Sequence, residues 1–576
     1  MNAELLFQHF NRISEAPNAI VRLRRFVLDS AVRGKLVEQD PHDEPASKLL
    51  GRLELEKTRR VKIGEIRKPR TLEVDDAGDR LFPLPSSWKW VRLADVGAIV
   101  GGGTPPSEDV DNFTAAGGGV AWVTPADLGK HGSLYVSRGS RDLTEKGLKA
   151  SSATVMPKGA VLFTSRAPIG YTAIALNEIS TNQGFKSVVP YISDCARYVA
   201  IYLQAFTPWI EGKASGTTFR EVSGKTVSGL PFPLPPLAEQ LRIVAKVDEL
   251  LAMCDQLEAA NAEREKSRDQ LVRASLQQLS QPDQEESVRE HAGFLLGNFD
   301  RLTTRVEHVK QLRRTILNLA IRGKLVPQVS TDEPAAALHR RLVSEVATFA
   351  AERGISTPKI DSITEGAMPF SLPSGWAWSR LASLFKVITD GDHQPPPRAE
   401  TGVAFLTIGN VTTGQLDFSN CRFVPQEYFD AIAPHRRPTK GDFLYTVVGA
   451  TYGRPALVDT DRPFCVQRHI GILKPVSEID LGYLHLLLSS PFVYEQATRS
   501  LTGTAQPTIP LRPLRNFLAP LPPLAEQHRI VAKVGALMAL CDQLEVQLTS
   551  TEAEKGRLLE ALLHEALTNP ALAVAA

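Results

Sequence analysis

The stretch LPPLAEQLRIVAKVDELLAMCDQLE occupies Leu234–Glu258, and LPPLAEQHRIVAKVGALMALCDQLE occupies Leu521–Glu545. The two strings are identical at 20 of 25 positions and lie 287 residues apart in a chain of 576. A repeat with so long a period is domain-sized rather than a solenoid unit. The chain therefore contains two copies of one plan, and we expect a pseudo-symmetric protein with two similar sites.

Two further pairs of segments keep nearly the same offset. LRRFVLDSAVRGKLV starts at Leu23 and LRRTILNLAIRGKLV at Leu312, while LPSSWKWVRLADV starts at Leu84 and LPSGWAWSRLASL at Leu372. Between these segments, residues 88–233 and 376–520 resemble each other poorly. Each copy therefore has similar ends and a different middle.

The ends of each copy have helical periodicity. Apolar residues recur at spacings of three and four before each RGKLV and after each PPLAEQ, where the helix should run for about 40 residues. Long helices with one apolar stripe need partner helices. We expect Leu237–Leu279 to pair locally with Val309–Arg353, and the N-terminal helices (Ile20–Arg60) to pair with Leu524–Leu567, closing the chain on itself.

The middles are predicted to be short strands broken by glycine and proline. GAVLFTS (Gly159–Ser165) and GDFLYTVV (Gly441–Val448) are β-prone, and helices are expected near Tyr198–Phe206 and Leu481–Ser489. The proline-rich segment before each long helix is expected to end the preceding structure.

Together these patterns predict an α+β fold. Two mixed α/β domains should be separated by long antiparallel, coiled-coil-like helices in a pseudo-two-fold repeat. The predicted boundaries are 1–70 for an N-terminal helical region, 84–236 for the first mixed domain, 237–353 for the central helices, 372–523 for the second mixed domain and 524–570 for the C-terminal helix.

Composition excludes several classes of protein. The chain is 43% hydrophobic and 23% charged with a net charge of +2, which is ordinary for a globular protein. The sequence shows neither a secretory signal peptide nor an apolar run of about 18 residues. Its five cysteines form no CxxC pair, which argues against a disulfide framework or a zinc site. We expect a cytoplasmic protein.

The chain shows no catalytic signature. SGKT (Ser223–Thr226) ends like a phosphate-binding loop, but Phe219 stands where that motif needs glycine. GGGT (Gly101–Thr104) is expected to be a turn. Asp390, Asp392 and His393 could suggest a metal site, although a turn before the prolines that follow is the better interpretation. These features favour a non-catalytic binding protein with two heads.

Both middles carry side chains suited to nucleic acid. Arginine pairs with guanine edges and asparagine or glutamine with adenine edges, while hydroxyls and lysine hold phosphates. The candidate DNA-contacting residues are Ser165, Arg166, Asn182, Gln183, Lys186, Thr217 and Arg220 in the first copy, and Thr451, Arg454, Gln467, Arg468, His469, Thr504 and Gln506 in the second.

Two other functions compete with DNA recognition. A two-headed adaptor that binds proteins would explain the helices, but not the matched clusters of Arg, Asn and Gln. A degenerate enzyme would predict a shared acid, base or nucleophile in both middles, and the comparison of the copies shows none.

The motifs also resemble a known family. PPLAEQxRIVAKV at each long helix, the RGKLV and LPxxWxW segments, and SRAPIG with TNQGF in the first middle are similar to the specificity subunit of type I restriction-modification systems. The resemblance covers essentially the whole chain. It implies two target-recognition domains that each bind half of a split, asymmetric double-stranded DNA site, with the helices as spacer.

The resemblance also implies partners and the location of cofactors. Two modification (methyltransferase) subunits and restriction (translocase and nuclease) subunits would assemble on this chain. S-adenosylmethionine, ATP and Mg²⁺ would bind those partners, so no cofactor is expected here.

Overall fold

The computed structural model describes residues 16–66, 81–130, 132–216, 220–280, 298, 302–356, 360–392, 396–503 and 506–568. The chain divides into two compact units: residues 1–263 together with 551–576, and residues 264–550. Each unit contains one mixed domain and parts of both long helices. The division therefore cuts each long helix in two.

The first unit begins with helices, continues through the mixed domain and ends in a long helix. Its helices are α1 (Ala19–Val32), α2 (Ala46–Lys62), α3 (Leu93–Val96), α4 (Pro125–Lys130), α5 (Glu145–Lys149), α6 (Ala196–Gly212), α7 (Gly224–Ser228) and the first part of α8 (Leu237–Ser280). Its strands are β1 (Lys89–Arg92), β2 (Gly97–Gly101), β3 (Phe113–Ala115), β4 (Val120–Val123), β5 (Tyr135–Val136), β6 (Arg141–Leu143), β7 (Val161–Ser165), β8 (Ile169–Ala175), β9 (Ser180–Thr181), β10 (Lys186–Pro190) and β11 (Pro231–Leu234).

The second unit follows the same plan. Its helices are α9 (Val306–Ile321), α10 (Ala335–Glu352), α11 (Leu381–Leu384), α12 (Gln426–Ala431), α13 (Leu481–Ser489), α14 (Pro491–Arg499), α15 (Leu511–Arg515) and the first part of α16 (Leu524–Thr568). Its strands are β12 (Ala377–Arg380), β13 (Phe385–Asp390), β14 (Val403–Leu406), β15 (Arg422–Val424), β16 (Phe443–Thr446), β17 (Pro455–Leu457), β18 (Phe464–Val466), β19 (Ile470–Pro475) and β20 (Leu518–Leu521). The predicted α+β class and the helices before and after each middle are confirmed.

Among the described residues, each mixed domain contains two sheets of three or more strands. The first domain has the strand orders β2-β10-β7-β8-β5 and β3-β6-β4-β9, and the second has β13-β19-β16-β17 and β15-β14-β18. One parallel pair recurs, because β4 lies beside β9 in the first domain and β14 beside β18 in the second. The middles thus share a topology that their sequences do not display.

A two-stranded ribbon begins and ends each mixed domain. Strand β1 pairs antiparallel with β11, and β12 pairs with β20. The prediction that the prolines end the preceding structure was wrong for Pro231 and Pro233, which lie within β11, whereas Pro235 and Pro236 do separate β11 from α8. The carbonyls of the two strand prolines accept hydrogen bonds from the hydroxyls of Tyr202 (2.9 Å) and Tyr198 (3.1 Å) on α6. The prolines therefore point away from β1, towards an edge that needs no ladder donor.

Helix α1 contacts both long helices within the first unit. Its N-terminal half packs against the end of α16 in a cluster with Phe26, Leu559 and Leu563. Further along, Arg24 forms ion pairs with Asp255 (2.6 Å) and Glu258 (2.7 Å) of α8. The predicted contact between the N-terminal helix and the C-terminal helix is confirmed for α1.

The second unit repeats these contacts with its own residues. Arg313 on α9 pairs with Asp542 (2.7 Å) and Glu545 (2.8 Å) of α16, as Arg24 pairs on α8. Leu302 and Leu312 pack with Val272, Leu276 and Leu279 near the end of α8. Helix α2 differs from the prediction, because its buried Leu49 and Leu53 join the core of the first mixed domain rather than the C-terminal helix.

Among the described helices, none is both long and apolar enough to cross a membrane.

Candidate nucleic-acid interface

The end of β7 connects two loops of the first domain through backbone hydrogen bonds. The amide of Ser165 donates to the carbonyl of Gly184 at 2.8 Å, and the amide of Val222 donates to the carbonyl of Ser165 at 3.0 Å. Beside them, Ser215 pairs with Glu221 in an isolated antiparallel bridge, and we call the segment that this bridge closes the arm. The segments after β7 and β9 and this arm are therefore held together at one end of the sheet.

The second domain makes the same bonds with different residues. The amide of Val447 donates to the carbonyl of His469 at 3.1 Å, and the amide of Ile509 donates to the carbonyl of Val447 at 2.8 Å. Thr502 and Thr508 bridge the matching arm. Three loops thus meet in the same way in both domains, although their sequences differ.

A threonine at the end of the strand gives a further correspondence. Thr164 accepts a hydrogen bond from the amide of Tyr171 at 2.8 Å, and Thr446 accepts one from the amide of Arg454 at 3.0 Å. Thr164 and Thr446 are fully buried. These bonds place Tyr171 and Arg454 at equivalent positions beside the loops.

The loops of the first domain border a cleft of about 780 Å³. Three predicted residues line it: Arg166, Asn182 and Arg220. Arg220 is exposed, and its guanidinium donates to the carbonyl of Glu211 at 2.9 Å. The structure therefore brings together three side chains that lie up to 54 residues apart in the sequence.

The other predicted residues of the first domain differ in accessibility. Gln183 is exposed, and its side-chain oxygen accepts a hydrogen bond from the hydroxyl of Thr104. Lys186 is largely covered, with its Nζ 3.0 Å from Glu221 Oε1. Ser165 is fully buried and its hydroxyl donates to the carbonyl of Gly184 at 3.2 Å, so this hydroxyl is not presented at the surface.

Close packing explains the glycines that precede this region. A Cβ on Gly102 would lie 2.0 Å from the carbonyl oxygen of Asn182, and one on Gly391 would lie 2.1 Å from that of Val466. The glycine-rich segment therefore lets the backbone approach the strand end that carries the candidate residues.

In the second domain, the candidate residues lie on the loops after β16 and β18. Arg454 is exposed and donates to the carbonyl of Thr412 at 2.9 Å, while the carbonyl of Thr451 accepts from the hydroxyl of Thr446 at 2.6 Å. Gln506 is exposed on the arm, and its carbonyl accepts from the hydroxyl of Thr508 at 3.1 Å. These contacts fix the loops mainly through backbone atoms.

The loop after β18 presents Gln467, Arg468 and His469. The amide of Gln467 donates to the carbonyl of Leu406 at 3.0 Å, and Arg468 is exposed with its Nε 3.3 Å from His469 Nε2. Burial and the neighbouring Arg468 charge lower the pKa of His469, so its neutral form is favoured near neutral pH. The predicted residues Thr217 and Thr504 lie outside the described residues.

The comparison with known proteins agrees with this duplicated architecture. The profile of the type I restriction modification DNA specificity domain matches residues 85–265 and 373–551. The chain belongs to this family. It carries two target-recognition domains, one within each matched range, and the adaptor hypothesis is not favoured.

Two relatives of this specificity chain match it along nearly its full length. The EcoAI and EcoEI type I restriction enzyme specificity subunits of Escherichia coli are each 27% identical over 573 residues, covering 95% of this chain and 94% of each relative. A chain from a solved structure of a type I restriction-modification system is 20% identical, covers 84% of this chain and 99% of its own length, and has a TM-score of 0.43.

Two functional candidates in the first target-recognition domain have no signal in the sequence. Tyr171 occupies the position of Arg454 and is 40% exposed. Glu221 lies between Lys186 and Arg166. Tyr171 is a candidate because it matches Arg454 in the other domain, and Glu221 because it contacts two cations. Only the structure shows either relation.

The acidic loop of the second target-recognition domain is occupied by its own partners. Arg436 pairs with Asp390 at 3.2 Å, and the hydroxyl of Tyr428 donates to Asp392 at 2.7 Å. His393 lies outside the described residues. In the part of the chain that the structure describes, no group of three or more His, Cys, Asp or Glu residues could hold a metal ion.

Proposed function

We propose that this chain selects the DNA sequence on which a type I restriction-modification complex acts. Each target-recognition domain would bind one half of a split, asymmetric double-stranded site. The observation that carries the proposal is the shared set of backbone bonds at Ser165 and Val447, which holds different exposed side chains on equivalent loops. Equivalent scaffolds with different contact residues suit two different half-sites.

The side chains at these loops have the chemistry that base recognition needs. Arg166 and Arg468 offer paired donors for the O6 and N7 atoms of guanine, whereas Gln183 and Gln467 offer a donor and an acceptor for adenine. Arg220 and Arg454 also supply positive charge that can neutralise phosphates. The candidate residues therefore cover both base recognition and backbone contact.

The chain would act as a non-catalytic scaffold in the cytoplasm. Two methyltransferase subunits and the restriction subunits would supply the chemistry, together with S-adenosylmethionine, ATP and Mg²⁺. The family membership and the role of the two Escherichia coli relatives as specificity subunits support this division of labour. A phosphate contact surface also predicts that affinity for DNA falls steeply as the salt concentration rises.

The test is to change one arginine in each domain and determine the preferred site. Arg166→Ala should relax specificity at a position in one half-site, and Arg468→Ala should relax it at a position in the other, each costing about 1–3 kcal/mol of discrimination. Sequencing the duplexes retained from a randomised library would measure both effects. Relaxation of both half-sites by either single change would contradict the two-domain proposal.

A matched control is Arg138→Ala in the first domain. Arg138 is partly exposed and pairs with the buried Asp142 at 2.8 Å, and it lies between β5 and β6 in a segment that does not line the cleft. We expect this change to leave the preferred DNA sequence unaltered, even if it lowers stability. If Arg138→Ala lost as much specificity as Arg166→Ala, the cleft would not be the surface that recognises DNA.

A further inference from the structure

A carboxylate lies between two cations at the edge of the first cleft. Glu221 Oε1 is 3.0 Å from Lys186 Nζ, and Glu221 Oε2 is 3.7 Å from Arg166 Nη1. About a third of the Glu221 and Arg166 side chains is exposed, whereas Lys186 is more covered. Glu221 is therefore placed to control how both cations are presented to a ligand in the cleft.

The carboxylate is not needed to form the arm that carries it. The second domain builds the equivalent arm with the Thr502–Thr508 bridge and the Ile509 to Val447 bond, and Thr508 occupies the position of Glu221. A negative charge at a DNA-facing surface also opposes the approach of phosphates. Neither folding of the arm nor general affinity for DNA therefore explains the presence of Glu221.

The two contacts of Glu221 are unequal. The 3.0 Å contact is a charge-assisted hydrogen bond that directs the Lys186 ammonium towards the carboxylate. The 3.7 Å contact with Arg166 is longer than a hydrogen bond, so the carboxylate attracts the guanidinium without occupying its donors. Arg166 can therefore keep its planar pair of N–H groups for a guanine edge.

We propose that Glu221 is a positioning residue that sets the sequence discrimination of the first target-recognition domain. It restrains Arg166 in the orientation that suits one guanine, and it masks Lys186 so that this lysine adds little sequence-independent attraction. Glu221 thus increases specificity while it lowers affinity for arbitrary DNA. The inference rests on the proposed function of the cleft in DNA recognition.

The experiment compares the wild-type chain with Glu221→Gln, each as the full chain purified with its co-expressed partner subunits. The probes are a randomised duplex library and a fixed duplex that lacks the selected site. We expect discrimination at one base pair of the first half-site to fall roughly tenfold. We also expect tighter binding of the fixed duplex and an unchanged second half-site. Damage to the fold would weaken binding to both probes. Lower discrimination together with tighter binding of the fixed duplex therefore identifies a positioning role.

Two further variants separate charge from positioning. Glu211→Gln removes a carboxylate from the same cleft, and no contact of the Glu211 carboxylate with Arg166 or Lys186 is found among the described residues. It should tighten binding to the fixed duplex without loss of discrimination. Adding Glu221→Gln to Arg166→Ala should cause no further loss of discrimination, because the two residues act as one unit.

Full discrimination in Glu221→Gln would overturn the inference, as would an additive loss in the double variant. If the wild-type protein showed no preference among duplexes, the proposed function itself would fail.

Discussion

Gly34 and Gly323 show how the RGKLV and LPxxWxW segments of each copy depend on each other. Both glycines have left-handed backbones, with φ of 67° and 70°. A Cβ on Gly34 would lie 2.5 Å from Pro85 Cγ, and one on Gly323 would lie 2.4 Å from Pro373 Cγ. In each copy, the proline of the LPxxWxW segment therefore packs directly against the glycine of the RGKLV segment.

This packing predicts opposite effects for two glycine substitutions. Gly34→Ala should destabilise the first unit by about 1–3 kcal/mol, because the new methyl group meets Pro85 and the backbone conformation disfavours alanine. Gly51→Ala should instead stabilise it by ~0.5–1 kcal/mol, since Gly51 lies inside α2 and a Cβ there would meet no atom within 4 Å. Thermal unfolding would measure both. Equal midpoints for the two variants would contradict the close packing at Gly34.

Glu239 gives a pH-dependent prediction. It is buried, and burial raises its pKa above the usual value near 4.5 despite a 2.6 Å hydrogen bond from Gln39. Because the native state holds the proton more tightly than the unfolded state, the resulting stability is full below about pH 4.5. It is lost as the pH rises through the raised native pKa.

Glu239→Gln should therefore lose less stability than the wild-type chain between about pH 5 and about pH 7. Urea unfolding at both pH values measures the difference. Glu249→Gln, at an exposed residue paired with Lys246 on the same helix, is the control and should follow the wild type. A Glu239→Gln effect that is equal at both pH values would show that this carboxyl does not titrate in the window.

At the scale of elements, the two ribbons reveal how a strand accepts proline. In β11, Pro231 has no amide to satisfy, and its carbonyl is bonded by Tyr202. In β20 the equivalent residue is Leu518, which has an amide. Gln496 accepts from this amide at 2.7 Å and donates to the Leu518 carbonyl at 3.0 Å. Where the second ribbon lacks the proline, the Gln496 side chain therefore satisfies both outward-facing backbone groups of the strand residue.

Gln496→Ala should destabilise the second unit by about 1–3 kcal/mol, because it leaves buried backbone groups of Leu518 without partners. Leu518→Pro removes the donor, so Gln496→Ala should cost less in that background. Chemical unfolding of the two single variants and the double variant gives the coupling energy. Simple additivity of the two changes would contradict the proposed role of Gln496.

At the scale of the whole chain, the first unit contains residues from both termini. Phe26 on α1 packs with the buried Leu559 and Leu563 of α16, and the guanidinium of Arg22 donates to the carbonyl of Gly556 at 2.8 Å. The cluster of Val272, Leu276 and Leu302 repeats this arrangement in the second unit. The contact between the N-terminal and C-terminal helices is therefore equivalent to a contact that the second unit forms between segments closer together in the sequence.

Leu559→Ala should lower the stability of the first unit by about 2–5 kcal/mol, since it leaves a cavity against α1. Hydrogen exchange should show faster exchange of the α1 amides. Leu540→Ala on the same helix is the control, because Leu540 is 59% exposed and should leave α1 protected. Unchanged protection of α1 in Leu559→Ala would mean that the terminal contact does not hold that helix.

The arrangement of the candidate interface was predicted from the sequence only in part. Arg166, Asn182 and Arg220 do share a cleft. Ser165, which belonged to the same predicted cluster, is buried because it ends a central strand. Loop motifs indicated which side chains lie near the candidate site, but β7 is buried along its whole length, so a residue that ends this strand is not presented to solvent.

The sequence alone determined the duplication, the helices at the ends of each copy and the type of function. These properties depend on apolar spacing and on motifs such as RGKLV, where side-chain identity is constrained. Only the tertiary structure decided that the dissimilar middles are equivalent, that proline-rich segments form ribbons and that Glu221 faces two cations. The physical reason is that the bonds at Ser165 and Val447 join backbone atoms. Nearly any residue can make such bonds, so they leave little trace in the sequence.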